Sequence, residues 1–239
     1  MEATVRFDST ASSPRHGLAL VYDLEGFSKF FNQPDVQDYV PQFINTVSAA
    51  VSVTLFGGDA YWLGDENKMY KPLSIRPLHE KFLGDGALYV WLDTPDKKIT
   101  TPVIANLCNR LWTLKTNFSK VVAASFDDVP VVDVPRRIRF GLARGTIFEL
   151  TRRSEQEKEY IGFCLNLASR LQKYCPDLGF IASARLRLPA QKLTQYGYTR
   201  VVATEIKGFP REIVVVDSDE YDHLDTHVRD ALFEPLEDR

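Results

Sequence analysis

Cysteine is scarce in this 239-residue chain, where Cys108, Cys164 and Cys175 are the full complement. An odd number with no metal-ligand spacing argues against a disulfide framework and against zinc, and it suits a reducing, cytoplasmic setting. Neither sign of charge is in excess: 29 Lys and Arg stand against 32 Asp and Glu, a net −3 with a pI near 5.9. A nucleic-acid binder is therefore not expected, while a local basic site for a triphosphate stays open. Long hydrophobic runs are missing as well. No stretch approaches the ~18–20 apolar residues of a membrane helix, and Met1-Glu2-Ala3-Thr4 opens no basic-then-apolar leader. A chain without a membrane span, and with no room for a separate sensor, is the expectation. What is present is 44% hydrophobic residues, enough for one core.

Three short stretches carry the chemistry. In the first, residues 17–23 form an apolar strand ending in Asp23, and Leu24-Glu25-Gly26-Phe27-Ser28 then turns into a helix. The second is Gly84-Asp85-Gly86 between the β-type runs 79–83 and 87–91, a strong hairpin signal. Two aspartates at the ends of two strands are a plausible divalent-cation pair, since Mg²⁺ prefers carboxylate and phosphate oxygens. In the third, residues 160–171, Asn166 and Arg170 are spaced i and i+4 and project from one helix face. Each stretch alone has an ordinary reading as a turn, a capping residue or a surface ion pair.

In this order, Asp-x-x-Gly-Phe, Gly-Asp on a hairpin and Gly-x-x-x-Asn-x-Ala-x-Arg on a helix, the chain resembles the class III nucleotidyl cyclase domain over about residues 17–217. The resemblance implies conversion of a nucleoside triphosphate to a 3′,5′-cyclic nucleotide and pyrophosphate by two divalent cations, Mg²⁺ or Mn²⁺. It implies Asp23, Asp85 and the Leu24 carbonyl as metal ligands. The Glu25, Gly26, Phe27 and Ser28 amides would hold the β- and γ-phosphates, Asn166 would orient the ribose, and Arg170 would meet charge on the α-phosphoryl oxygens. A triphosphate-binding cation is expected near Lys207 or Arg211, although Gly208-Phe209-Pro210 departs from the family pattern there. It also implies a head-to-tail homodimer whose protomers share each site, one giving the metal ligands and the other Asn166 and Arg170.

Base choice falls on Lys81 and Glu159, three residues before Gly84 and Gly162. Adenylate cyclases place Lys and Asp there, guanylate cyclases Glu and Cys. The longer acid and the bulk of Phe163 beside it favour a smaller base. The compact, sensor-free chain is most like the pyrimidine cyclases of bacterial Pycsar anti-phage systems, which make cyclic CMP or cyclic UMP for a separate effector protein. A stand-alone adenylate cyclase is the alternative, and a catalytically silent cyclase-like binding module would need one of the four key residues to be missing.

The remaining pattern predicts a loose arm over residues 1–16, a short helix over 25–31 and a long amphipathic helix over 36–55. A structureless insertion at about 57–76, readable as a lid, a dimer contact or a neutral insertion, precedes the hairpin. A second long helix spans 99–122, then a strand with a kink or tight turn at Gly141 to Gly145, a solvated loop over 151–159, a helix over 162–174 and three strands over 179–217. The acidic tail, 218–239, is expected to be partly disordered. The order predicts an α+β, ferredoxin-like domain of the split βαβ type, a mainly antiparallel sheet with helices on one face.

Overall fold

A computed structural model of the chain describes residue 7 and residues 12–64, 68–126, 128–131, 133–151 and 158–236. Its centre is β1 (Arg15–Glu25), in which eight consecutive residues from Gly17 to Leu24 are buried. Leu18, Leu20, Tyr22 and Leu24 enter one hydrophobic cluster, whereas Ala19 and Val21 enter another. A strand covered on both faces has no polar side to show, which is why this stretch reads as apolar without alternation.

β1 pairs antiparallel with β5 (Gly86–Leu92) and with β6 (Arg137–Thr151). The sheet extends on one side to β4 (His79–Phe82), and on the other through β8 (Phe180–Ser183), β10 (Glu212–Asp217) and β9 (Tyr198–Ala203) to β11 (Phe233–Pro235). β7 (Lys158–Gly162) folds back on the far half of β6. Among the described residues β6 and β8 run parallel and the other strand pairs antiparallel. The α+β sheet expected from the sequence is what forms.

Helices cover both faces rather than one. α2 (Val40–Phe56), α3 (Thr101–Thr116) and α4 (Phe118–Ala123) pack on the first, and α5 (Phe163–Tyr174) on the second. α5 presents Cys164, Leu167, Ala168 and Leu171 at helical spacing to Ala143 and Ile147 of β6. Two smaller helices lie between these elements: α1 (Phe27–Phe31) after β1 and α6 (Ala190–Gln195) before β9.

Several local expectations change. The helix expected over 36–55 begins as a 3-10 turn, Val36–Asp38, before α2. The helix expected over 99–122 breaks at Asn117, whose side-chain amide donates to the Thr113 carbonyl at 3.0 Å. Gly141 and Gly145 make no turn, since β6 runs straight through both. A Cβ on Gly141 would sit 2.0 Å from the Ala168 carbonyl oxygen, so its role is to admit α5 against the sheet. Of the solvated loop, Lys158 and Glu159 belong to β7, and residues 152–157 lie outside the described ones.

The insertion is anchored. β2 (Gly58–Asp59) pairs with β3 (Met69–Tyr70), while Trp62, Leu73 and Ile75 join the core. Arg110 of α3, 5% exposed, donates to the carbonyls of Lys71 at 2.7 Å and Thr54 at 3.3 Å and lies over the Tyr70 ring. The acidic tail also has structure. α7 (Ser218–Asp222), α8 (Thr226–Leu232) and β11 place Tyr221, Leu224, Val228 and Phe233 against the second cluster, apolar positions that the surrounding acids mask in composition.

Candidate active site

β1 delivers Asp23 to the rim of the sheet, opposite Gly86 of β5 on one side and Arg139 of β6 on the other. The hairpin fits tightly here: a Cβ on Gly86 would lie 1.9 Å from the Tyr22 carbonyl oxygen. The Leu24 N–H donates to the Asp85 carbonyl at 3.1 Å, and the Leu83 N–H to the Gly86 carbonyl at 2.8 Å. These bonds bring the two expected carboxylates together, with the Leu24 backbone beside them. Burial, then the negative charge of Asp23 and a hydrogen bond with its side chain, raise the Asp85 pKa, while Lys173 in the last turn of α5 pulls it down.

Asp23 forms an ion pair with the Arg139 guanidinium. Sequence reasoning missed Arg139, which reads there as one polar position of an alternating strand. The usable signal was register, because pairing β6 with β1 sets that position against Asp23.

Two crowded carboxylates, one with its proton affinity raised by the other's charge, suit a divalent cation, which would relieve that repulsion. Among the described residues no third acid, histidine or cysteine joins them in a metal-binding group. That donor set fits Mg²⁺ or Mn²⁺, which commonly take remaining ligands from water and substrate phosphates.

Beyond Asp23 the chain turns into α1. The Gly26, Phe27 and Ser28 amides precede its first helical hydrogen bond, from the Phe30 N–H to the Gly26 carbonyl at 3.1 Å. Glu25 faces Arg137, with 3.5 Å between its carboxylate and the guanidinium.

Lys81 and Glu159 meet within one chain. The Lys81 ammonium donates to both Glu159 carboxylate oxygens at 2.9 Å, across a cleft of about 530 Å³ that Leu78 and Tyr160 also line. Phe163 lies outside that cleft. Its ring packs edge-on to Phe209 and under the Arg185 guanidinium, which pairs with buried Glu212.

Asn166 and Arg170 are exposed on α5, and among the described residues neither has a hydrogen-bond or ion-pair partner. Within one chain they make no bond to Asp23 or Asp85. Lys207 is exposed in the turn between β9 and β10, and Arg211 is paired with Glu234 of β11. The Lys207 and Arg211 positions thus form no contact with the aspartate pair.

No family model and no curated protein matches the sequence. Solved structures do match in shape. An adenylyl cyclase from P. aeruginosa superposes with a TM-score of 0.57 at 16% identity, over 85% of this chain and 94% of that one. A bacterial light-regulated adenylyl cyclase gives 0.56 at 14% identity, over 92% of this chain and 57% of that one. The guanylate cyclase domain from Catenaria anguillulae, in complex with GTP, gives 0.51 at 12% identity, over 86% and 97%. This chain has the fold of adenylyl and guanylyl cyclase domains.

Proposed function

We propose that the protein is a nucleotidyl cyclase. One observation carries the reading: the hairpin hydrogen bonds hold Asp23 and Asp85 side by side, close enough that the Asp23 charge acts on the Asp85 carboxyl. Cations bound there supply activation of the ribose 3′-oxygen and neutralisation of the departing diphosphate. Asp23, Asp85 and the Leu24 carbonyl hold them. The Glu25 to Ser28 backbone, with the Arg139 guanidinium beside it, takes the β- and γ-phosphates. The 3′-hydroxyl gives up its proton to solvent and its oxygen forms a bond to the α-phosphorus as the bond from that phosphorus to the oxygen bridging it to the β-phosphate breaks, releasing pyrophosphate.

Asn166 orients the ribose and Arg170 stabilises the α-phosphoryl oxygens. Both come from a second copy of the chain, since within one chain they are exposed and, among the described residues, have no hydrogen-bond or ion-pair partner. A head-to-tail homodimer completes two such sites.

The substrate class is a pyrimidine nucleoside triphosphate, the product cyclic CMP or cyclic UMP, sensed by a separate effector in anti-phage defence. The Lys81–Glu159 pair supports this, because it closes on itself at 2.9 Å and matches neither purine pattern cleanly. Crowding by Phe163 is not part of the argument, as its ring is turned to Arg185 and Phe209. The same lysine and acid also match the charge pattern of an adenine site, so cyclic AMP is the second reading. Incubation with all four triphosphates at equal concentration and Mn²⁺ tests both. Predominant cyclic CMP or cyclic UMP is expected; predominant cyclic AMP overturns the base assignment, and no cyclic product from any triphosphate overturns the enzyme.

A further inference from the structure

Gly208-Phe209-Pro210, the segment that departs from the cyclase pattern, closes the turn between β9 and β10. The Phe209 N–H donates to the Ile206 carbonyl at 2.7 Å, with Gly208 at φ +84° inside the turn. Ile206 is buried in the second cluster, and Phe209 packs against it. Lys207 is thus held by its neighbours while its own side chain is exposed, with no hydrogen-bond or ion-pair partner among the described residues. Arg211, at the end of the same turn, is paired with Glu234.

A relay of contacts ties this turn to α5. The Phe209 ring meets Phe163, the first residue of α5, edge-on at 5.1 Å. The Arg185 guanidinium, from the 3-10 turn Ala184–Leu186 after β8, lies 4.5 Å from the centre of the Phe163 ring. Its Nε is 2.9 and 3.2 Å from the two carboxylate oxygens of Glu212, which opens β10 and is 7% exposed. Edge-to-face rings and a guanidinium laid over a ring are directional contacts, and a buried carboxylate held by an arginine has little freedom to turn. Phe163, Asn166 and Arg170 follow helical spacing along one stripe of α5. The turn bearing Lys207 and the stripe bearing Asn166 and Arg170 are therefore joined as one unit.

We propose that Phe209 and Arg185 are positioning residues that hold Lys207 in register with Asn166 and Arg170, so that one protomer brings all three to the triphosphate as a preformed half-site. The inference rests on the cyclase reading and deepens it. Lys207 meets the phosphates, and Phe209 and Arg185 act through it. Holding the turn in advance lowers the ordering cost of binding.

Calorimetric titration of the full chain with Mn²⁺ and inorganic tripolyphosphate tests this without turnover and without a base. Lys207→Gln should weaken binding about tenfold, the loss of one charge-assisted contact. Phe209→Ala should weaken it about fivefold in the parent, but less than about twofold when Lys207→Gln is already present, because its effect runs through the lysine. Arg185→Lys still pairs with Glu212 but offers Phe163 no flat face, and should cost about threefold with the same dependence on Lys207. Phe209→Tyr, which keeps the ring, should bind within about twofold of the parent. A merely structural role would lower melting and give equal losses with and without Lys207. Such equal losses, unchanged affinity in Phe209→Ala or Arg185→Lys, or no binding by the parent overturns the positioning role. Tripolyphosphate binding with the expected coupling but no cyclic product from any nucleoside triphosphate upholds that role and overturns the cyclase reading alone.

Discussion

In the proposed reaction Asp85 is a metal ligand, and its surroundings give it a measurable signature. Burial and the Asp23 charge raise its folded pKa above the unfolded value. A raised acid contributes its stability in full below the ordinary carboxylate value, about 4, and loses it as pH rises through the folded value. In EDTA, Asp85→Asn should therefore melt higher than the parent at pH 8, the difference vanishing near pH 4; equal melting at both pH values would contradict the crowding of the two carboxylates. With Mn²⁺ the same variant, like Asp23→Ala, should form no cyclic product while keeping its circular dichroism. Normal turnover by either would remove the two aspartates from the metal site.

At the scale of elements, α5 depends on β6 having no side chain at position 141. Gly141→Ala puts a methyl 2.0 Å from the Ala168 carbonyl, and neither backbone can give way cheaply. A loss of about 3 kcal/mol in urea denaturation is expected, at the upper end of overpacking costs. A loss below about 1 kcal/mol would mean that α5 does not sit so close. Arg110 clasps the insertion in the same way. Arg110→Ala should cost about 2–4 kcal/mol, because the buried Thr54 carbonyl and the half-buried Lys71 carbonyl lose their donor and the packing over Tyr70 is lost. Hydrogen exchange should then speed up over residues 57–64 and 68–76 before the rest of the chain; uniform exchange would contradict an anchored insertion.

These elements also show how far the sequence could be read. β1, the β4–β5 hairpin and α5 were legible because burial on two faces, a Gly-Asp-Gly turn and helical spacing each leave a local trace. Gly141 was misread because a glycine needed for close approach and one needed for a turn look alike until the neighbouring helix is known. Trp62, Leu73 and Ile75 belong to an aperiodic stretch whose order comes from Arg110, some forty residues on, and no local pattern carries that contact. The tail misled through composition: its acids lie outward, while Tyr221, Leu224, Val228 and Phe233 face the core. In the site, Asp23, Asp85, Lys81 and Glu159 were found by motif and do come together in pairs. Arg139 was not, since its meaning comes from strand register alone.

For the whole molecule the central claim is that one complete site needs two chains. Asp23 and Asp85 lie together in one protomer, whereas Asn166 and Arg170 stand exposed on α5 without a partner among the described residues. Mixing Asp85→Ala with Arg170→Ala tests this most directly. Each variant alone should be silent, because both of its sites lack one component. After subunit exchange about half the dimers are mixed, and each mixed dimer holds one intact site of two, so about a quarter of the parent activity should return. Mixtures that demonstrably exchange subunits yet form no cyclic nucleotide would contradict the shared site.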